Sequence, residues 1–168
     1  MRSFRDRLAF DAATGEIRDE TRRYMLIRPE ALMGIFAGLD DDARSAALAA
    51  LERSVFVRGS NSAEAYRAMG AAEADALIET IRLSAPELGW GLWHFERTEG
   101  RLTLTVENSP FAVGFGRSET PVCHAITGML RAVAGLVFGR PAVSREIACA
   151  ACGADACRFE AVPAEDGR

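Results

Sequence analysis

All four cysteines of this chain lie in its last quarter, at Cys123, Cys149, Cys152 and Cys157. Three of them fall in the run Glu146-Ile147-Ala148-Cys149-Ala150-Ala151-Cys152-Gly153-Ala154-Asp155-Ala156-Cys157. Two cysteines separated by two residues, a glycine turn and a third cysteine make a tight knuckle of thiols. Such a knuckle suits Zn²⁺, which takes four ligands in a tetrahedron, mostly Cys, His and carboxylate. Cys123, a ligand from a distant point in the chain, would pin the C-terminal hairpin to the domain. A disulfide and a set of buried free thiols are the other readings. The four thiols and the Glu146 carboxylate offer five candidates for four positions. Thiolate chemistry and the Cys149-x-x-Cys152 spacing favour the four-cysteine set.

Catalytic chemistry is harder to find. The only histidines are His94 and His124, and no Ser-His-Asp arrangement is readable. His94 sits in an aromatic strand and reads as a partly exposed strand residue. His124 adjoins Cys123, but neighbours in a helix point in different directions, and Cys123 has the better claim as a metal ligand. A filled tetrahedral shell leaves no place for water, so such a zinc is structural. That argues against a hydrolase, and no catalytic residue is assigned.

The bounds agree with a binding domain. The chain has 168 residues, 49% hydrophobic and 26% charged, as in ordinary globular proteins. That length suffices for one domain with a sizeable core. Net charge is −4 with no basic run, a poor match for direct nucleic-acid binding. The charged start Met1-Arg2-Ser3-Phe4-Arg5-Asp6 is unlike a signal peptide, and no apolar stretch approaches a membrane span. The expectation is a cytoplasmic protein with no membrane partner, where thiols stay reduced and metal is favoured over disulfide.

The elements that must position these residues follow in chain order. Leu8 to Asp11 reads as a strand and Ala12 to Gly15 as a turn. Glu16-Ile17-Arg18 begins a return strand that Arg23 to Ile27 continues. Pro29 to Gly38 is a short helix. Asp40-Asp41-Asp42 caps a second, running to about Val57, and Gly59-Ser60-Asn61-Ser62 breaks it. Ser62 then caps a third helix to Met69, with an interruption at Gly70 and a continuation from Ala71 to Leu83. Trp90 to Arg97 and Arg101 to Glu107 form a hairpin about Glu99-Gly100. Phe111 to Gly116 reads as a loop or irregular edge. Pro121 opens a helix over about 121–138, with Ile126, Met129, Leu130, Val133 and Val137 on its apolar face. Gly139-Arg140-Pro141 stops it. Ala142 to Ala148 and Cys157 to Val162 are the strands flanking the cysteine turn, and Pro163 to Arg168 is a tail. The whole is a single domain over 1–168: an N-terminal hairpin segment to about 36, a core over about 37–162, then the tail.

Pro121-Val122-Cys123 opening a helix rich in small residues, then Phe138-Gly139-Arg140-Pro141, then Glu-x-x-Cys-x-x-Cys-Gly-x-x-x-Cys-Arg over 146–158, resembles the 4-vinyl reductase domain family. The sensor domains of phenol- and xylene-responsive transcription activators are its most similar members. Leu8-x-Phe10-Asp11-x-x-x-Gly15-x-Ile17 and Arg23-x-x-Leu26-Ile27 resemble their lead-in segment. The resemblance implies an α/β (α+β) fold with an antiparallel sheet and helices around an apolar pocket. It implies an N-terminal hairpin that dimerises and a C-terminal zinc-pinned hairpin. It implies a structural Zn²⁺ on Cys123, Glu146, Cys149 and Cys157. Glu146 and Cys149 can both face inward only if a bulge breaks the strand's alternation, and Cys152 then points away from the metal.

The function so implied is a non-catalytic sensor or carrier of a hydrophobic or aromatic small molecule. It would act as a homodimer and, since no glycine-rich phosphate loop is present, on a regulator or enzyme in trans. Trp90, Phe111, Met129, Val133 and Phe138 are the expected pocket residues, with room left by Gly128, Ala132 and Gly135. Phenol itself is a poor expectation, because Leu88 and Val106 stand where phenol sensors carry a polar grip. The alternative is an enzyme or accessory protein of bacteriochlorophyll synthesis, vinyl-reductase-like and tetrapyrrole-binding. The chain has no Gly-x-Gly-x-x-Gly after a strand to hold a hydride donor.

Overall fold

The computed structural model describes residues 3–68 and 74–165. The chain opens with a helical turn, α1 (Phe4–Arg7), whose Ser3 hydroxyl accepts from the Asp6 N–H. Three short strands follow, β1 (Ala9–Asp11), β2 (Glu16–Asp19) and β3 (Arg22–Tyr24), paired antiparallel in that order. The Asp11 carboxylate accepts from Ala13 and Thr14 N–H and closes the first turn. The expected two-stranded hairpin is therefore a three-stranded meander. Glu20 takes φ 54 and turns the chain where the sequence reading had one return strand.

Helices α2 (Pro29–Ala37), α3 (Asp41–Ala68) and α4 (Ala74–Glu87) come next. The Asp40 carboxylate caps α3 by accepting from Ala43 N–H. The expected break at 59–62 is absent, and α3 runs straight through. Gly59 serves close packing instead, because a Cβ there would lie 3.0 Å from the Met129 sulfur. The expected interruption at Gly70 lies outside the described residues. Helix α4 also runs past Leu83, carrying Pro86 in its last turn.

The second sheet is built from β4 (Leu92–Thr98), β5 (Arg101–Glu107), β6 (Ala142–Ala148) and β7 (Cys157–Pro163), all antiparallel in the order β4-β5-β7-β6. Between β5 and β6 lie α5 (Pro110–Phe115) and α6 (His124–Phe138). The segment expected as a loop at 111–116 is mostly α5, because Pro110 occupies its first turn and Ser109 caps it. Pro163, expected to begin the tail, pairs with Ala142 at the end of β7.

Alternation on the strands separates two faces. Trp93, Leu102, Leu104, Val106, Cys157, Phe159 and Ala161 point inward and are buried. The other face carries charge, with Glu160 held between Arg101 and Arg145. Helix α6 packs against the sheet strands β6 and β7 and against α3. Gly128 is where the two helices meet, since a Cβ there would stand 2.3 Å from the Glu52 carbonyl oxygen. The room expected at Gly128 for a ligand is thus taken by the backbone of α3.

Candidate metal centre and apolar cavity

The inward thiols converge at one end of the sheet. Cys123 precedes the first residue of α6, Cys149 follows β6 and Cys157 opens β7. All three are free and buried. The pairing of β6 with β7 slips between Glu146 and Ala148. That irregularity is the break in alternation that lets Glu146 share a side with Cys149. The knuckle is closed by a 3₁₀ turn at Ala150–Cys152 and by Gly153, whose φ of 97° strongly favours glycine.

One ligand atom from each of Cys123, Glu146, Cys149 and Cys157 lies within 4.8 Å of the others. The Cys123 sulfur is 3.6 Å from that of Cys157 and 4.0 Å from that of Cys149. A tetrahedron with metal–sulfur distances of about 2.3 Å has sulfur–sulfur edges of about 3.8 Å, so these spacings fit a metal without rearrangement. Cys152 is exposed on the turn and outside the group.

Electrostatics point the same way. Glu146 Oε2 accepts from Cys123 N–H at 2.9 Å, while Oε1 is buried with no partner. An orphaned buried carboxylate oxygen is costly. Burial, then the neighbouring Cys149, pushes the Glu146 carboxyl up to about 8. Among the thiols, Cys149 is driven far down by accepting hydrogen bonds from Cys123 and Cys157. Cys123 is driven far up by its contacts with Cys149 and Cys157 and by burial. Cys157 is pulled down by Cys123 but pushed up more by Cys149 and by burial, ending at about 12. Without a cation one thiolate forms at the others' expense. A divalent cation would let all four groups ionise together. Ala150 N–H already donates to the Cys157 sulfur at 3.3 Å. The residues therefore fit a metal ion.

Sequence reasoning missed two neighbours of this site. Ser109 places its hydroxyl oxygen 3.3 Å from the Cys123 sulfur. Glu52 of α3 meets His124 Nδ1 at 2.9 Å, so His124 faces α3 rather than the knuckle. Neither carried a spacing signal, because each reaches the site from a distant element. His94 is exposed and lies 3.3 Å from Glu107. A polar cleft of about 1,030 Å³, lined by Arg44, Glu52, His124, Ser144 and Arg145, reaches Glu146 from solvent and gives a path to the metal position.

A second, smaller cavity of about 440 Å³ lies among α3, α4, α6, β4 and the N-terminal segment. Phe4, Phe10, Tyr24, Val55, Ile81, Trp90, Trp93 and Met129 are in its wall, with Ser54, Arg58, Ser84 and Glu87 as the polar groups. Of the expected pocket residues, Trp90 and Met129 line it. Phe111 stands behind Trp90, ring to ring at 5.1 Å and nearly perpendicular. Val133 is fully buried in the core, and Phe138 packs against that core. The N-terminal meander forms one side of the cavity. Phe10, Met25 and Leu26 there are 67%, 76% and 84% exposed.

Comparison with known proteins matches the 4-vinyl reductase domain family model to residues 102–163. No curated protein matches the chain. Among solved structures, it is similar to the phenol-responsive sensory domain of the transcription activator PoxR, solved with phenol. That match has a TM-score of 0.79 at 22% identity, over 94% of this chain and 85% of that one. It is also similar to trafficking protein particle complex subunit 3 from Naegleria fowleri, covalently bound to palmitic acid (TM-score 0.58, 14% identity, 83% of this chain and 97% of that one). A vinyl-4-reductase family protein from Methanocaldococcus jannaschii matches with a TM-score of 0.50 at 15% identity, over 82% of this chain and 91% of that one. At these identities the likeness is one of fold. The matched segment runs from β5 to β7 and holds all four clustered residues, so residues 102–163 of this chain are a 4-vinyl reductase domain.

Proposed function

We propose that this protein is a non-catalytic binding domain, a sensor or carrier, for a hydrophobic or aromatic small molecule. The observation that carries the reading is the apolar cavity of about 440 Å³ with both tryptophans of the chain in its wall. Ligand pockets for drug-sized molecules run from about 300 to 1,000 Å³ and are mostly apolar with a few polar groups. This volume suits about one to three rings, or a short alkyl chain, better than a tetrapyrrole macrocycle. The PoxR domain, similar in fold, was solved with phenol, which supports an aromatic ligand.

Cys123, Glu146, Cys149 and Cys157 would hold a structural Zn²⁺, which joins β6, β7 and the start of α6. Thiolate-rich donors favour Zn²⁺ over the harder divalent cations. The zinc contributes folding energy rather than chemistry on a substrate. The single domain acts as a homodimer. Pairing covers Phe10, Met25 and Leu26, which one copy leaves at the rim of its cavity. Among the described residues no helix is long and apolar enough to cross a membrane, in line with a cytoplasmic protein that signals to a regulator or enzyme in trans.

Melting curves with phenol, 1-naphthol, octanoate and a porphyrin test the reading. An apolar ligand at 100 times its Kd adds about 2.7 kcal/mol of stability by mass action. The expected result is a rise with 1-naphthol and none with the porphyrin. No rise with any compound overturns the binding reading, and a rise with the porphyrin alone overturns the ligand class. Sedimentation checks the dimer: wild type should sediment as a dimer at micromolar concentration and Leu26→Glu as a monomer.

A further inference from the structure

The two sites are joined by a short chain of contacts that neither site explains. Ser109 is buried, 2% exposed, at the end of β5. Its hydroxyl oxygen accepts from Ala112 N–H at 3.5 Å, capping α5, and lies 3.3 Å from the Cys123 sulfur. A metal-bound thiolate can only accept, so the Ser109 O–H donates to Cys123 when the metal is held. Two residues on, Phe111 packs its ring on Trp90 at 5.1 Å. The Trp90 carbonyl in turn accepts from Trp93 Nε1 at 2.9 Å. Both tryptophans line the apolar cavity.

We propose that Ser109 is a positioning residue that ties the Cys123 corner of the metal centre to the aromatic wall of the cavity, so that metal and apolar ligand bind with mutual dependence. The inference rests on the metal and cavity readings given above. Helix α5 has only six residues, is fixed by Ser109 at one end and carries Phe111 one turn away. A change in the length or direction of the Ser109–Cys123 contact therefore moves the ring that backs Trp90. Coupling of this kind is reciprocal: the factor by which ligand changes metal affinity equals the factor by which metal changes ligand affinity. Partners that hydrogen-bond a metal ligand commonly change metal affinity by about 10- to 100-fold.

The test uses the Co²⁺-substituted protein, whose sulfur-to-metal charge-transfer band reports on Cys123. Wild type, Ser109→Ala and Ser109→Thr are titrated with 1-naphthol while the band and the tryptophan emission are read. A hydrogen bond to a thiolate lowers its lone-pair energy, so the Ser109→Ala band should move to lower energy. Its zinc affinity should fall about 10-fold or more. In wild type 1-naphthol should shift the band; in Ser109→Ala it should not. Ser109→Thr, which keeps the hydroxyl, should restore both effects. A wild-type band that ignores bound 1-naphthol overturns the coupling while leaving both sites standing. So does a Ser109→Ala protein with unchanged zinc affinity and an unchanged response. Failure of wild type to bind metal or 1-naphthol at all overturns the underlying reading as well. If Ser109→Ala does not fold, the wild-type and Ser109→Thr responses decide: a shared shift supports the coupling and no shift in either overturns it.

Discussion

The metal centre and the apolar cavity are opposites in how they are built. At the metal centre the side chains are fixed closely and the charge is left over. Three buried thiols and a carboxylate with a partnerless oxygen crowd within 4.8 Å. At the cavity the charge is settled and space is left over, about 440 Å³ of it between aromatic walls and an exposed N-terminal rim. A cation completes the first and an apolar body completes the second. The difference separates two kinds of function in one fold: a centre that contributes rigidity, and a cavity whose contents can change.

If that contrast is right, the largest effect comes from the centre. Cys157 is fully buried and sits between Cys123 and the Ala150 N–H. Cys157→Ser should lose zinc and cooperative folding together, because structural zinc supplies on the order of 10 kcal/mol in small zinc domains. Metal analysis and circular dichroism check it. A zinc-free variant that melts like wild type would break the contrast. Glu146→Gln should keep the fold but weaken zinc by about 100-fold or more, beyond the range of residues that touch only a ligand. Competition against a chelator measures this.

The pH dependence sharpens the same point. In the metal-free protein burial raises Glu146 from its ordinary 4.5 to about 8. An acid with a raised folded pKa holds its proton in the fold after the unfolded chain has lost it. The metal-free fold therefore loses stability as pH rises from about 4.5 to about 8. With zinc bound the carboxylate is needed in its charged form, and that loss should disappear. Melting temperatures across this window, with and without zinc, give the comparison.

Smaller effects belong to the cavity and the turn. Ala85, nearly buried on α4, faces the cavity. Ala85→Leu should fill space rather than crowd the core, costing less than about 1.5 kcal/mol. It should remove most of the melting-temperature rise given by 1-naphthol and leave zinc content unchanged. Cys152→Ser should be nearly silent, within about 0.5 kcal/mol, with full zinc content, because Cys152 is exposed and outside the cluster.

The two regions were also unequally legible in the sequence. The knuckle announces itself, since Cys149, Cys152, Gly153 and Cys157 are close in the chain and their spacing is a local property. Choosing Glu146 over Cys152 needed the family resemblance, and the slip between Glu146 and Ala148 is the local geometry behind it. The clean alternation of Leu102, Leu104 and Val106 marked β5 to the residue. The cavity left no such trace. Its wall draws on residues from Phe4 to Met129, and an apolar side chain in a wall looks like one in a filled core. Gly59 and Gly128 misled for one reason: each reads locally as a break or a gap, and each is a close approach between α3 and α6. Ser109 was invisible because its partner, Cys123, belongs to another element.

The central claim is that the cavity binds an apolar small molecule at a defined site. The only two tryptophans, Trp90 and Trp93, both stand in its wall, so tryptophan emission reads the site with no added label. Zinc-loaded wild type titrated with 1-naphthol should show saturable quenching that fits one molecule per chain, and Ala85→Leu should lose it. Quenching that rises without saturation, and equally in wild type and Ala85→Leu, would contradict the account.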